Sequence, residues 1–162
     1  MPFPVDRPMR AIPSVLFLCV LGCGGATIPN TDVEDTDDNR EVLEFVEEYR
    51  KAVESRDVAE LLALASPDYH DDSGTPAADD DVDYEGLKGR LQRWSEALLS
   101  VRYEIRYRRV SFVRDRVLVD YTYTGSFKMK GPDGDRAERR LDENRLVLVR
   151  TGDDGFRILS GM

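Results

Sequence analysis

Thiols and imidazoles are almost missing from this 162-residue chain, which has two cysteines, Cys19 and Cys23, and one histidine, His70. Both cysteines lie near the N-terminus and cannot cross-link the rest, so the core must rest on packing rather than on disulfides. One imidazole and no spare thiol exclude a structural zinc site, and no metal or cofactor is expected. Positive charge is also short: 23 Lys and Arg face 32 Asp and Glu, for a formal net charge of −9. A duplex-binding surface must neutralise phosphates, so this balance argues against a nucleic-acid partner. No apolar run is long enough to span a bilayer comfortably. The longest, AIPSVLFLCVL from Ala11 to Leu21, has the length of a signal-peptide core.

That run follows Arg7 and Arg10 and ends in Val20-Leu21-Gly22-Cys23. The last four residues resemble the lipobox of bacterial lipoproteins, with Leu21 where a small residue is commoner. The resemblance implies a signal peptide over 1–22 and a lipid on Cys23. It therefore implies a lipid-anchored, palmitate-bearing protein of the cell envelope whose partner is the membrane. Gly24 stands where an aspartate would resemble an inner-membrane retention signal. In a host with two membranes, the outer one facing the periplasm is favoured. An ordinary signal peptide cleaved nearby, or an uncleaved anchor, is the plainer alternative. Met9 is a second candidate start. Residues 23–37 are rich in Gly, Pro, Asp and Thr and poor in apolar side chains, which predicts a flexible acidic tether. The folded domain is expected over 38–162.

Val42, Phe45, Val46, Tyr49, Ala52 and Val53 recur at helical spacing and predict a first helix, capped by Asp37 or Asp38. Asp57 and Glu60 form a capping-box-like start to a short second helix that Pro67 closes. Tyr69-His70-Asp71-Asp72 reads as a brief strand or a pocket rim. Leu87, Leu91, Trp94 and Leu98 form one stripe of a third helix over about 83–100.

Beyond residue 100 the period changes to two. Val101, Tyr103, Ile105 and Tyr107 alternate with charged residues, and the apolar phase then slips to Val110 and Phe112, as a β-bulge would make it. Strands follow over about 117–129 and 136–150, with a short last one at 156–159, separated by Gly-, Pro- and Asp-rich turns. The run Leu146-Val147-Leu148-Val149 suits burial on both faces. The class is α+β, with N-terminal helices packed on a curved antiparallel sheet of four to six strands.

This order of elements resembles the NTF2-like superfamily in its SnoaL-like branch. EFVEEYRKAVESRDVAELLALASPDY is similar to the opening of that family, and RLVLVRTGDDGFRILSG is similar to its closing hairpin, with Phe156 where tryptophan is commoner. The resemblance implies a cone with an internal pocket, for which Tyr69, Trp94, Tyr103, Tyr121 and Tyr123 are candidate lining residues. It also implies a homodimer formed through the sheet.

His70 and Asp120 are the candidate catalytic residues, because a pocket histidine or a desolvated aspartate can move protons. The plainer expectation is a rim histidine and an aspartate paired with Arg106 or Arg108. Asp79, Asp81 and Asp83 match the start of a calcium loop, but Tyr84 and Arg90 occupy the positions that need Gly and Glu. Two functions are compatible with the sequence. One is a non-catalytic domain binding a small apolar ligand or a partner protein. The other is a small-molecule isomerase, dehydratase or cyclase.

Overall fold

The computed structural model describes residues 25–72, 81–152 and 155–162. Cys19, Cys23, Asp79 and Asp80 lie outside the described residues. Helices α1 (Asp37–Ser55) and α2 (Val58–Leu64) come first. The strand pair β1 (His70–Asp71) and β2 (Val82–Asp83) precedes α3 (Tyr84–Ala97). A meander of β3 (Leu98–Val113), β4 (Arg116–Met129), β5 (Arg136–Arg150) and β6 (Phe156–Ser160) completes the chain. The main sheet is antiparallel in the order β3-β4-β5-β6, and β1 and β2 form a separate two-stranded sheet.

The helices begin where a side chain can satisfy free backbone N–H groups. Asp57 accepts from the Glu60 N–H at 3.0 Å, and Asp83 accepts from the Gly86 N–H at 2.8 Å. The cap of α1 is Thr36 rather than Asp37 or Asp38, accepting from the Asn39 N–H at 3.2 Å. Helix α3 ends at Ala97, so Leu98 is buried as the first residue of β3 and not as the end of a helical stripe. Gly86 and Gly89 weaken α3 intrinsically, and Leu87, 0 % exposed, holds it on the core.

Register along β3 and β4 slips between Tyr107 and Arg109, at the place where the apolar phase of the sequence slips. Within β5, Leu146 and Leu148 are fully buried, whereas Val147 and Val149 are only half-buried. The run is therefore not buried on both faces. One face of the sheet meets the helices, and the other carries charged side chains.

The stretch 25–36 is not a flexible spacer. Thr27 and Glu34 form an antiparallel bridge, and the Asp32 N–H donates to the Tyr107 carbonyl at 3.0 Å. The Asp32 carboxylate accepts from Arg106 and Arg108, each at 2.8 Å. Val33, 2 % exposed, joins the core. Val33, Ile28 and the paired Asp32, together with backbone hydrogen bonds, dock a segment whose average composition reads as disordered.

Candidate functional site

Helices and sheet line a half-open cavity of about 310 Å3. Helix α1 contributes Tyr49 and Val53, α2 contributes Leu61, and α3 contributes Leu87, Leu91 and Trp94. From the inner face of the sheet come Tyr103, Tyr123, Phe127 and Asn144. Met162 also lines the cavity, and the exposed Arg90 and Arg140 stand at its edge. Alternation explains the sheet wall. Tyr121, Tyr123, Gly125 and Phe127 share one face of β4, and Arg140, Asn144, Leu146 and Leu148 share one face of β5.

The Tyr103 and Tyr123 rings pack in a tilted arrangement, with centroids 5.1 Å apart and planes inclined at 35°. Gly125 lies opposite Tyr103 in the pairing of β3 with β4. A Cβ there would fall 2.4 Å from Cε2 of Phe127, so this glycine lets the Phe127 ring lie over the strand.

The phenols of Tyr49, Tyr103 and Tyr121 cluster together and influence one another's ionisation. Asn144 donates from Nδ2 to Tyr121 Oη at 3.0 Å and to the Gly161 carbonyl at 2.9 Å. Burial, above all, pushes Tyr49 and Tyr121 well above the ordinary phenol range, so both are neutral hydrogen-bonding groups and poor bases. Tyr69 is also raised by burial; it donates to Asp71 Oδ2 at 3.1 Å and accepts from the Met162 N–H at 3.1 Å.

Of the aromatic residues expected to line a pocket, Trp94, Tyr103 and Tyr123 meet in this cavity. Tyr69 and Tyr121 are buried behind it, where their hydroxyls hold the C-terminal residues and Asn144. His70 and Asp120 stand elsewhere. His70 is exposed on β1, with Nε2 3.6 Å from Asp81 Oδ2. Asp120 lies on the outer face of the sheet. It accepts from Arg145 at 2.6 Å and from Arg109 at 3.1 Å, not from Arg106 or Arg108. The bulge explains the change of partner, since it sets Arg109 opposite Asp120. The hydrogen bond from Arg145 is the largest influence on this carboxyl. With Arg109 it outweighs burial and holds the group below the usual carboxylate range.

Sequence reasoning missed Tyr49, Arg90, Arg140, Asn144 and Met162. A signal for Asn144 was present, because it alternates in phase with Leu146 and Leu148.

An α+β domain with a half-open, aromatic-lined cavity between its helices and its antiparallel sheet defines the class. Comparison with solved structures gives it a name: this is the NTF2-like fold. A ketosteroid isomerase-like protein from Erwinia carotovora atroseptica matches at TM-score 0.60 and 17 % identity, over 77 % of this chain and 93 % of that one. A candidate dehydratase of the NTF2-like family from Streptomyces avermitilis matches at TM-score 0.61 and 19 % identity, over 76 % and 93 %. A candidate scytalone dehydratase from Novosphingobium aromaticivorans matches at TM-score 0.64 and 12 % identity, over 76 % and 80 %. At these identities the likeness is one of fold. No protein-family model and no curated protein matches the sequence.

Proposed function

We propose that this chain is a lipid-anchored cell-envelope protein whose cone binds a small, largely apolar ligand without transforming it. The observation that carries the binding reading is the make-up of the cavity wall. It consists of aromatic and aliphatic side chains, phenols, one thioether, one amide and two guanidinium groups. Among the described residues it includes no carboxylate side chain and no imidazole. At about 310 Å3 the cavity falls at the lower end of the range for small-molecule sites, roughly 300–1,000 Å3.

Trp94 is the only tryptophan of the chain and lines the cavity, so its fluorescence reports on occupancy. Titration with the apolar dye N-phenyl-1-naphthylamine is expected to give saturable energy transfer from Trp94. Leu91→Trp, which fills the cavity, is expected to abolish it. Absence of saturation in the wild type, or transfer unchanged by Leu91→Trp, rejects the reading.

The names of the structural neighbours favour a second reading, an isomerase or dehydratase. It is weakened by the placement of Asp120 and His70 outside the cavity.

The anchor reading rests on the lipobox-like Val20-Leu21-Gly22-Cys23. Because Thr27 is already bridged to Glu34, the link from Cys23 to the body is four residues, about 14 Å at full extension. On this reading the domain lies close against the bilayer rather than on a long leash. Labelling with an alkynyl fatty acid in a bacterial host is expected to mark the wild type and not Cys23→Ser. Equal labelling of the two, or none in either, rejects the anchor.

A further inference from the structure

We propose that the occupant of the cavity is a compact aromatic carboxylate, its ring held between Trp94 and the Tyr103–Tyr123 pair and its carboxylate held at the edge by Arg90. The inference rests on the reading of the cavity as a ligand site and adds the chemistry of the ligand.

Three features of the site support it. Five aromatic side chains line the cavity, and Tyr103 and Tyr123 already pack with their centroids 5.1 Å apart, so a flat ring is a shape that adds to this wall with little loss. Positive charge sits at the edge of the same cavity from two elements, Arg90 on α3 and Arg140 on β5. These two cations are not equally available. Arg140 is held by the Glu138 carboxylate, whereas Arg90 makes no ion pair among the described residues. The protein is acidic overall, and several arginines of the sheet are already committed to carboxylates: Arg106 and Arg108 to Asp32, Arg109 and Arg145 to Asp120, Arg150 to Glu41. A guanidinium left without a carboxylate at the edge of an apolar, ring-lined cavity is a ready partner for an anionic ligand group. Its planar fork fits a carboxylate with two parallel N–H···O bonds. The anion stays at the water-facing edge, so it escapes most of the desolvation cost that a buried charge would carry.

The test uses the purified full chain and four probes read through Trp94 fluorescence: 3-phenylpropanoate, its neutral amide, 3-phenylpropylamine and octanoate. The acid is expected to bind about tenfold more tightly than the amide, the worth of a charge-assisted hydrogen bond. The amine is expected to bind most weakly of the three aryl probes, and octanoate more weakly than the aryl acid. Arg90→Gln is expected to erase the preference for the acid by weakening the acid far more than the amide, and Arg90→Lys to keep part of it. Arg90 is exposed, so neither change threatens folding, and circular dichroism checks this. An amide that binds as tightly as the acid overturns the inference, and so does a preference that survives Arg90→Gln. Octanoate binding equal to that of the aryl acid overturns the assignment of an aromatic ring. If none of the four probes binds, the ligand-site reading itself fails, an outcome distinct from amide binding without acid preference.

Discussion

Replacing Gly161 by Ala tests the closure of the cone at its C-terminal end. Gly161 has φ +94°, in the left-handed region, and a Cβ there would fall 1.9 Å from the Arg145 carbonyl oxygen. Two responses are open to the chain. In the first, residue 161 keeps its place. A non-glycine residue in this conformation costs about 1–3 kcal/mol. The backbone of β5 must also move, an overpacking cost of about 1–3 kcal/mol. In the second, the last residues detach. That forfeits the bond from the Gly161 N–H to Asp71 Oδ2 at 2.9 Å, the bond from Asn144 to the Gly161 carbonyl at 2.9 Å, and the bond from the Met162 N–H to Tyr69 Oη at 3.1 Å. At about 0.5–1.5 kcal/mol each, the sum is roughly 1.5–4.5 kcal/mol. The chain takes the cheaper route, so Gly161→Ala is expected to lower stability by about 2–4 kcal/mol. Urea unfolding followed together by Trp94 fluorescence and far-ultraviolet circular dichroism measures it. Hydrogen exchange should show faster exchange at residues 161 and 162 if the second route is taken. A loss below about 0.5 kcal/mol, the size of an ordinary surface change, refutes the reasoning.

Four further expectations follow from the same geometry. Leu87→Ala, at a fully buried position under α3, should cost about 2–5 kcal/mol in the same urea assay. The buried phenols of Tyr49 and Tyr121 ionise far above their unfolded range. Above about pH 10 the unfolded chain therefore sheds protons that the folded chain retains, and stability should fall as pH rises; Tyr49→Phe should flatten that slope, and tyrosinate absorbance should appear for these rings only on unfolding. The Asp120 carboxyl is depressed in the folded state, so its contribution is present above its unfolded value near pH 3.9 and lost as pH falls below it. Asp120→Asn should remove about 1 kcal/mol at neutral pH and shrink the loss of stability in that acid window. Asp32→Ala releases Arg106 and Arg108, and limited proteolysis should then cut within 25–36 faster than in the wild type, while equal rates would mean that this ion pair does not hold the segment.

What the sequence determined by itself is whatever neighbours along the chain decide. Helical spacing marked the buried face of α1, Asp57 announced α2, and the change of apolar phase after Tyr107 located the bulge, because each depends on residues within a turn or two. Tertiary structure decided the rest. Asp120 found Arg109 and Arg145 only once the bulge had set the register across three strands. Asp32 and Val33 drew 25–36 onto the sheet, although composition averaged over that stretch argued for disorder. The cavity needed Tyr49, Trp94, Tyr123 and Asn144 from four elements far apart in the chain. The physical reason is range: periodicity and capping are short-range preferences, whereas a pocket is the space left when distant faces meet, and no local pattern encodes that space.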